Sequence, residues 1–173
     1  HNKKNVVLIE GRDKNKYLVY NDTKKNESAL LLGDVVNNMF ILKDYLYKNI
    51  DKYIEFKPYI TQLYSNLHKD RSLIYENDPS SKLTSFSVNK GEEVAFCLRS
   101  KKTSELHDIN LVMYVAIHEM AHIACPEIGH GELFKKIFKK LTEEAINLGI
   151  YKKVNFADIP TEYCGMILSS SII

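Results

Sequence analysis

Only three cysteines occur in the 173 residues, Cys97, Cys125 and Cys164, and no two of them make a C-x-x-C pair. That scarcity excludes a zinc ribbon and offers no disulfide framework, so the expectation is an intracellular, reducing compartment: cytoplasm, nucleus or virion. No apolar run approaches the ~18 residues of a bilayer span, which leaves no membrane segment in the visible chain. Charge of one sign is lacking too. The 24 Lys and Arg against 22 Asp and Glu give +2 and a pI near 8.3, without the dense basic surplus of a dedicated nucleic-acid binder. Repeats, low-complexity tracts and splitting linkers are absent, so residues 1–173 read as one domain, long enough to close a single core. The chain opens on His1 rather than methionine, as expected of a processed, tagged or truncated product, from which a leader or anchor could have been removed.

What is present first organises into helices and strands. Val6–Ile9 and Tyr17–Tyr20 flank the turn-like EGRDKNK and predict a hairpin. From Ser28, read as an N-cap, apolar residues at Leu32, Val35, Val36, Met39, Leu42, Leu46, Ile50 and Tyr53 keep helical spacing for more than six turns. Pro58 opens a shorter helix carrying Ile60, Leu63 and Leu67. After the polar ENDPSSK, two strand-like runs surround Asn89, Lys90 and Gly91 as a second hairpin. Asp108 is placed to cap a helix through INLVMYVAIHEMAHIAC that Pro126 ends, and a last helix runs from about Gly131 to Leu148, stopped by Gly149. Helices, strands and helices in that order argue for α+β.

Three of the six histidines, His118, His122 and His130, fall within thirteen positions around Glu119. On a helix, residues four apart share a face about 6 Å apart along the axis, so His118 and His122 can bind one metal ion together. Glu119 is turned by about 100° from His118, toward a water on that ion, which is the division of labour in HExxH. A catalytic zinc site takes three protein ligands and one water. The third ligand is open among His130, Glu143 or Glu144 on the next helix, and Cys125, which lies about 10 Å along the axis from His118. His68 and His107 read as solvated, and His1 as a remnant of tagging or processing.

With HEMAHIACPEIGHGELF in view, the chain resembles the SprT-like (Spartan) and WLM zinc metallopeptidases. Over SFSVNKGEEVAFCLRS and YCGMILSSSII it is also similar to predicted metallopeptidases of large DNA viruses. The likeness covers about residues 80–173. It implies a minimal zincin-like metalloprotease domain with Zn2+ as cofactor, held by His118, His122 and His130, and Glu119 as catalytic base. It further implies a protein or peptide substrate, including proteins crosslinked to DNA, although the charge gives a nucleic-acid partner no support. Lys135, Lys136, Lys139 and Lys140 make a basic helix face that reads as solvated.

Two further roles are expected of this site. The hairpin in SFSVNKGEEVAFCL offers a strand edge for an extended substrate, and TEYCGM offers the phenol of Tyr163 to the carbonyl oxyanion. Met166 is expected in the core. Two other functions use the same residues: a non-catalytic zinc-stabilised binding module with a fourth protein ligand, and hydrolysis of a non-peptide amide.

Overall fold

The structure, a computed structural model, describes residues 5–170. It opens with the expected hairpin, β1 (Val6–Glu10) and β2 (Lys16–Tyr20), paired from Val6 with Tyr20 to Glu10 with Lys16. Period-two burial turns Tyr17 and Val19 into the core and leaves Leu8 outside.

Helix α1 (Lys25–Lys48) buries Leu32, Val35, Val36, Met39, Leu42 and Leu46. It departs from the expected limits at both ends. Ser28 is not its cap but a fully buried residue of the first turn, whose hydroxyl accepts from Arg99 Nη2 at 2.7 Å. The helix stops at Lys48, where the Asn49 side chain bonds back to the Tyr45 carbonyl at 2.9 Å. Ile50 and Tyr53 carry the apolar spacing on through two 3-10 turns, Ile50–Lys52 and Ile54–Phe56. Helix α2 (Lys57–Asn66) then begins with Pro58 in its first turn.

A strand that the sequence pattern hides follows: β3 (Leu73–Glu76), whose four residues lie at the centre of the sheet. The hairpin of β4 (Phe86–Val88) and β5 (Glu93–Phe96) completes the five-stranded order β1-β2-β3-β5-β4. The pairs β2–β3 and β3–β5 are parallel, the two hairpins antiparallel, and β4 is an edge. The turn between β4 and β5 holds Asn89, Lys90 and Gly91 at positive φ. A Cβ on Gly91 would stand 3.0 Å from the Asn66 carbonyl oxygen and 3.1 Å from Ile123, so only glycine lets this turn close on α2 and the next helix.

Helices α3 (Ile109–Ala124) and α4 (Glu132–Asn147) pack on each other, and α3 also packs on α1 and α2. A two-stranded hairpin, β6 (Thr161–Tyr163) and β7 (Met166–Leu168), forms a separate sheet among the described residues. These elements give the α+β arrangement expected. Among the described residues no helix is long and apolar enough to cross a membrane.

Two ties join distant segments. Arg99, just after β5, bonds Glu76 at the end of β3 (Nε to Oε2, 2.8 Å), Ser28 of α1, and Asp22. Glu76 is fully buried and also accepts from the Tyr20 amide at 2.8 Å. The second tie corrects the expectation of unpaired cysteines: Cys97 and Cys164 form a disulfide across 67 positions, and Cys125 is free and buried. A reducing compartment, expected because the cysteines looked unpaired, loses that support.

Replacing Arg99 with Met would strand the Glu76 carboxylate without its cation. The expected cost is ~3–5 kcal/mol, as for other buried pairs broken on one side, to be measured as a fall in the denaturation midpoint.

Candidate metal centre

Helix α3 starts where Asp108 caps it, its carboxylate accepting from the Asn110 amide at 2.9 Å. Its apolar residues, among them Val112, Met113, Ala116, Ile117, Met120 and Ala121, are buried in the core. That packing fixes the helix's rotation, and the rotation leaves His118 and His122 half-buried at the edge of a cleft. After Ala124 the chain turns through Pro126 and Gly129, the latter at φ +91°, and returns with exposed His130 just ahead of α4.

The imidazoles converge. Nε2 of His122 and Nε2 of His130 are 3.0 Å apart, and one ring nitrogen from each of the three histidines lies within 4.8 Å of the others. Tetrahedral bonds of ~2.0–2.1 Å would set such atoms about 3.4 Å apart, so the three residues are positioned to hold one metal ion. His118 Nδ1 is engaged by Glu119 Oε2 at 3.3 Å. Phe134, in the first turn of α4, packs against all three rings at centroid distances of 5.2, 4.3 and 4.8 Å for His118, His122 and His130.

Burial pushes the His122 pKa down to about 4, helped by the neighbouring His118, by Lys90 and by His130, and opposed by Glu119. Burial lowers His130 as well, with His118 and Lys135 adding to it and Glu119 opposing. Both rings are therefore neutral near pH 7 and present lone pairs to a cation. Glu119 is 4% exposed and reaches the same cleft.

The cleft holds about 570 Å³, with Ser85, Phe86 and Ser87 on the β4 side, Ile128 to His130 opposite, and His118, Glu119 and His122 between. Edge strand β4 thus borders the histidines. Lys90, in the turn of its hairpin, donates to the carbonyls of His122 at 3.0 Å and Glu127 at 2.9 Å. Gln62 of α2 donates to the Ile123 carbonyl at 2.8 Å. Together these satisfy carbonyls that the end of α3 leaves open.

The other candidates fall elsewhere. Cys125 is buried in the core, and Glu144 accepts from the Tyr53 hydroxyl at 2.9 Å. Glu143 pairs at 4.0 Å with Lys140. Neither glutamate nor Cys125 joins the histidine cluster. His68 is half-buried, its Nδ1 accepting from the Asp70 amide. His107 is not solvated as expected. Its side chain is 7% exposed and its Nε2 accepts from the Cys164 amide at 3.0 Å. The lysine face of α4 is countered by acids: Lys135 meets Glu132 at 3.7 Å, Lys136 meets Glu55, and Lys140 meets Glu144 at 3.8 Å.

Tyr163 is folded back beside His118 and Glu119, lining a smaller recess with them. It is 2% exposed, and its hydroxyl donates to the Cys97 carbonyl at 2.6 Å and is bonded to Ser85 Oγ. Burial raises its pKa, so it stays protonated. Met166 is 46% exposed on the rim of that recess, not in the core as expected. Lys90 and Phe134 carried no signal of their own in the sequence beyond Phe134's place four residues after His130.

Because Lys90 ties the turn beside β4 to the backbone of one histidine and to the loop that delivers another, Lys90→Met should weaken metal binding ~10- to 100-fold. Lys90→Arg should retain most of it, both measured by competition with a chromogenic chelator at unchanged helical content.

Residues 50–158 match the WLM domain. The uncharacterized protein R325 of Acanthamoeba polyphaga mimivirus is 50% identical over 157 residues, covering 91% of this chain and 79% of that one. The uncharacterized protein 136R of Invertebrate iridescent virus 6 is 28% identical over 157 residues, covering 78% and 84%. The crystal structure of Wss1 from Saccharomyces cerevisiae superposes with a TM-score of 0.41 at 15% identity, over 58% of this chain and 82% of that one. With more than half of its residues inside the matched domain and a large DNA virus protein half identical to it, the chain belongs to the WLM domain family.

Proposed function

We propose that the protein is a zinc metallopeptidase, with His118, His122 and His130 as the zinc ligands and Glu119 as general base. The observation that carries the reading is the convergence of three imidazoles and one buried carboxylate in a cleft bordered by β4, the last strand of the sheet among the described residues. The donor set fits the ion: three imidazole nitrogens from a helix and the loop after it are the usual complement of a catalytic zinc, which keeps its remaining position for water. Among the described residues no fourth His, Cys, Asp or Glu joins the cluster, which favours an open site over a closed structural one. Bound there, zinc would polarise a peptide carbonyl and bring the pKa of a water near neutrality.

The chain's own groups account for the rest. Glu119, next to His118 on α3, accepts the proton of the attacking water and passes it to the amine that leaves. Strand β4, last in the sheet order among the described residues, runs beside the histidines and guides an extended substrate by main-chain hydrogen bonds, which holds the scissile bond over them. Tyr163 supplies a proton donor for the developing oxyanion after its hydroxyl turns away from the Cys97 carbonyl. Proteins and peptides are the substrates this cleft suits, since a strand edge recognises backbone without regard to sequence. The balanced charge and the acid-paired lysines of α4 give no support to a nucleic-acid partner.

In Glu119→Gln, zinc should remain at one equivalent by elemental analysis while cleavage of an unfolded protein disappears. His130→Ala should lose the metal itself. Retained cleavage in Glu119→Gln would remove the base from this reading. Tyr163→Phe keeps the ring in place, so a fall in turnover of ~10²-fold or more at unchanged zinc content is expected for an oxyanion donor, and unchanged turnover would leave Tyr163 a packing residue.

A further inference from the structure

Among the described residues, the metal cleft and the smaller recess beside it meet at three side chains: Ser85, His118 and Glu119 line both. His118 and Glu119 already have roles in the hydrolysis described above. Ser85, half-buried just ahead of β4, has none. We infer that Ser85 is a second catalytic donor, whose hydroxyl hydrogen-bonds the oxyanion that develops on the scissile carbonyl, alongside Tyr163. The inference rests on the peptidase reading above and adds a residue to that same site.

The surrounding hydrogen bonds fix where the Ser85 proton points. The Cys97 amide donates to Ser85 Oγ at 2.9 Å, and the Tyr163 hydroxyl donates its single proton to the Cys97 carbonyl at 2.6 Å. In the contact between Ser85 Oγ and the Tyr163 hydroxyl, Ser85 is therefore the donor. The bonds close a ring that runs from the Cys97 amide to Ser85, from Ser85 to Tyr163, and from Tyr163 back to the Cys97 carbonyl. Turning the Ser85 proton toward the cleft needs only rotation about its Cβ–Oγ bond, and it costs the phenol oxygen one accepted bond. Turning the Tyr163 proton instead takes a donor from the carbonyl of Cys97, a residue 3% exposed. The serine rearrangement is the lighter of the two, and when both protons turn the oxyanion gains two donors.

Ser85 is also held in place before any substrate arrives. Asn77, 4% exposed, donates from Nδ2 to the carbonyls of Leu83 and Thr84 at 3.1 and 3.0 Å, and its own amide donates to the Phe96 carbonyl at 2.8 Å. The loop that delivers Ser85 is thus pinned to the end of β5, and the Cys97 amide that holds its Oγ follows directly on that strand. A donor oriented in advance stabilises developing charge without reorganising at the moment of reaction. Ser85 keeps its proton throughout, so no covalent bond to it forms or breaks.

The test uses the zinc-loaded protein, a phosphinic peptide whose tetrahedral anion mimics the developing oxyanion, and the amide peptide of the same sequence as substrate. Ser85→Ala should weaken calorimetric binding of the phosphinic peptide ~10²- to 10³-fold, the cost of one oxyanion donor. It should lower kcat by the same factor, with KM for the amide and zinc content as in the wild type. Ser85→Thr, which keeps a hydroxyl, should restore most of both. A crystal structure of the wild-type complex, which needs no variant to fold, should place a phosphinate oxygen within ~2.5–3.0 Å of Ser85 Oγ. Unchanged phosphinate affinity in Ser85→Ala, an equally large rise in KM, or a phosphinate oxygen beyond ~3.5 Å in the complex would overturn the role of Ser85 and leave the peptidase reading standing. Wild-type protein that carries zinc but neither cleaves the amide nor binds the phosphinic peptide would overturn the peptidase reading and the role of Ser85 with it.

Discussion

Helix α3 has two obligations that pull on the same sixteen residues. Its apolar side chains must fill the core between α1, α2 and α4, and its remaining face must hold two imidazoles and a carboxylate at the cleft. A rotation of the helix by one residue, about 100°, would put those polar groups into the core and apolar ones into the cleft. Packing therefore sets the orientation of the site. The ends of the helix are secured separately: Asp108 caps the first turn, while Lys90 and Gln62 take the carbonyls of His122 and Ile123. Those two donors come from the β4–β5 turn and from α2, so the histidine-bearing segment and the strand beside it are held in one frame.

Around that frame the fold closes by ties between segments far apart in sequence. Arg99 gathers the ends of β2 and β3 and the first turn of α1, and the disulfide next to it brings the C-terminal hairpin up to the cleft. Cys97 and Arg99 are two positions apart, so a single extended stretch after β5 anchors both sides of the molecule. Phe134 does a related service on the other flank, packing from α4 against all three imidazoles.

The parts of this arrangement that were legible in the sequence are those with local causes. His118, Glu119 and His122 are placed by helical periodicity, the helix start by Asp108, its end by Pro126, and the return of His130 by the glycine-containing loop. The first hairpin and the β4–β5 turn were equally local. What the sequence concealed depends on partners far along the chain. Strand β3 is four residues long and central, so its pattern alone could not separate it from the polar stretch beside it. Ser28 resembles a cap because serine early in a helix usually is one, and only Arg99, 71 positions away, makes it a buried acceptor. The pairing of Cys97 with Cys164, the burial of His107 and the grip of Lys90 on two carbonyls are likewise tertiary facts, as is the exposure of Met166 at the recess.

The central claim concerns the donor set around one ion, and X-ray absorption at the zinc edge tests it without reference to any substrate. The account predicts one zinc per chain with three imidazole nitrogens at ~2.0–2.1 Å and one light scatterer from water in the remaining position. A sulfur scatterer near ~2.3 Å, which only Cys125 or an opened disulfide could supply, or a fourth protein ligand closing the shell, would contradict it.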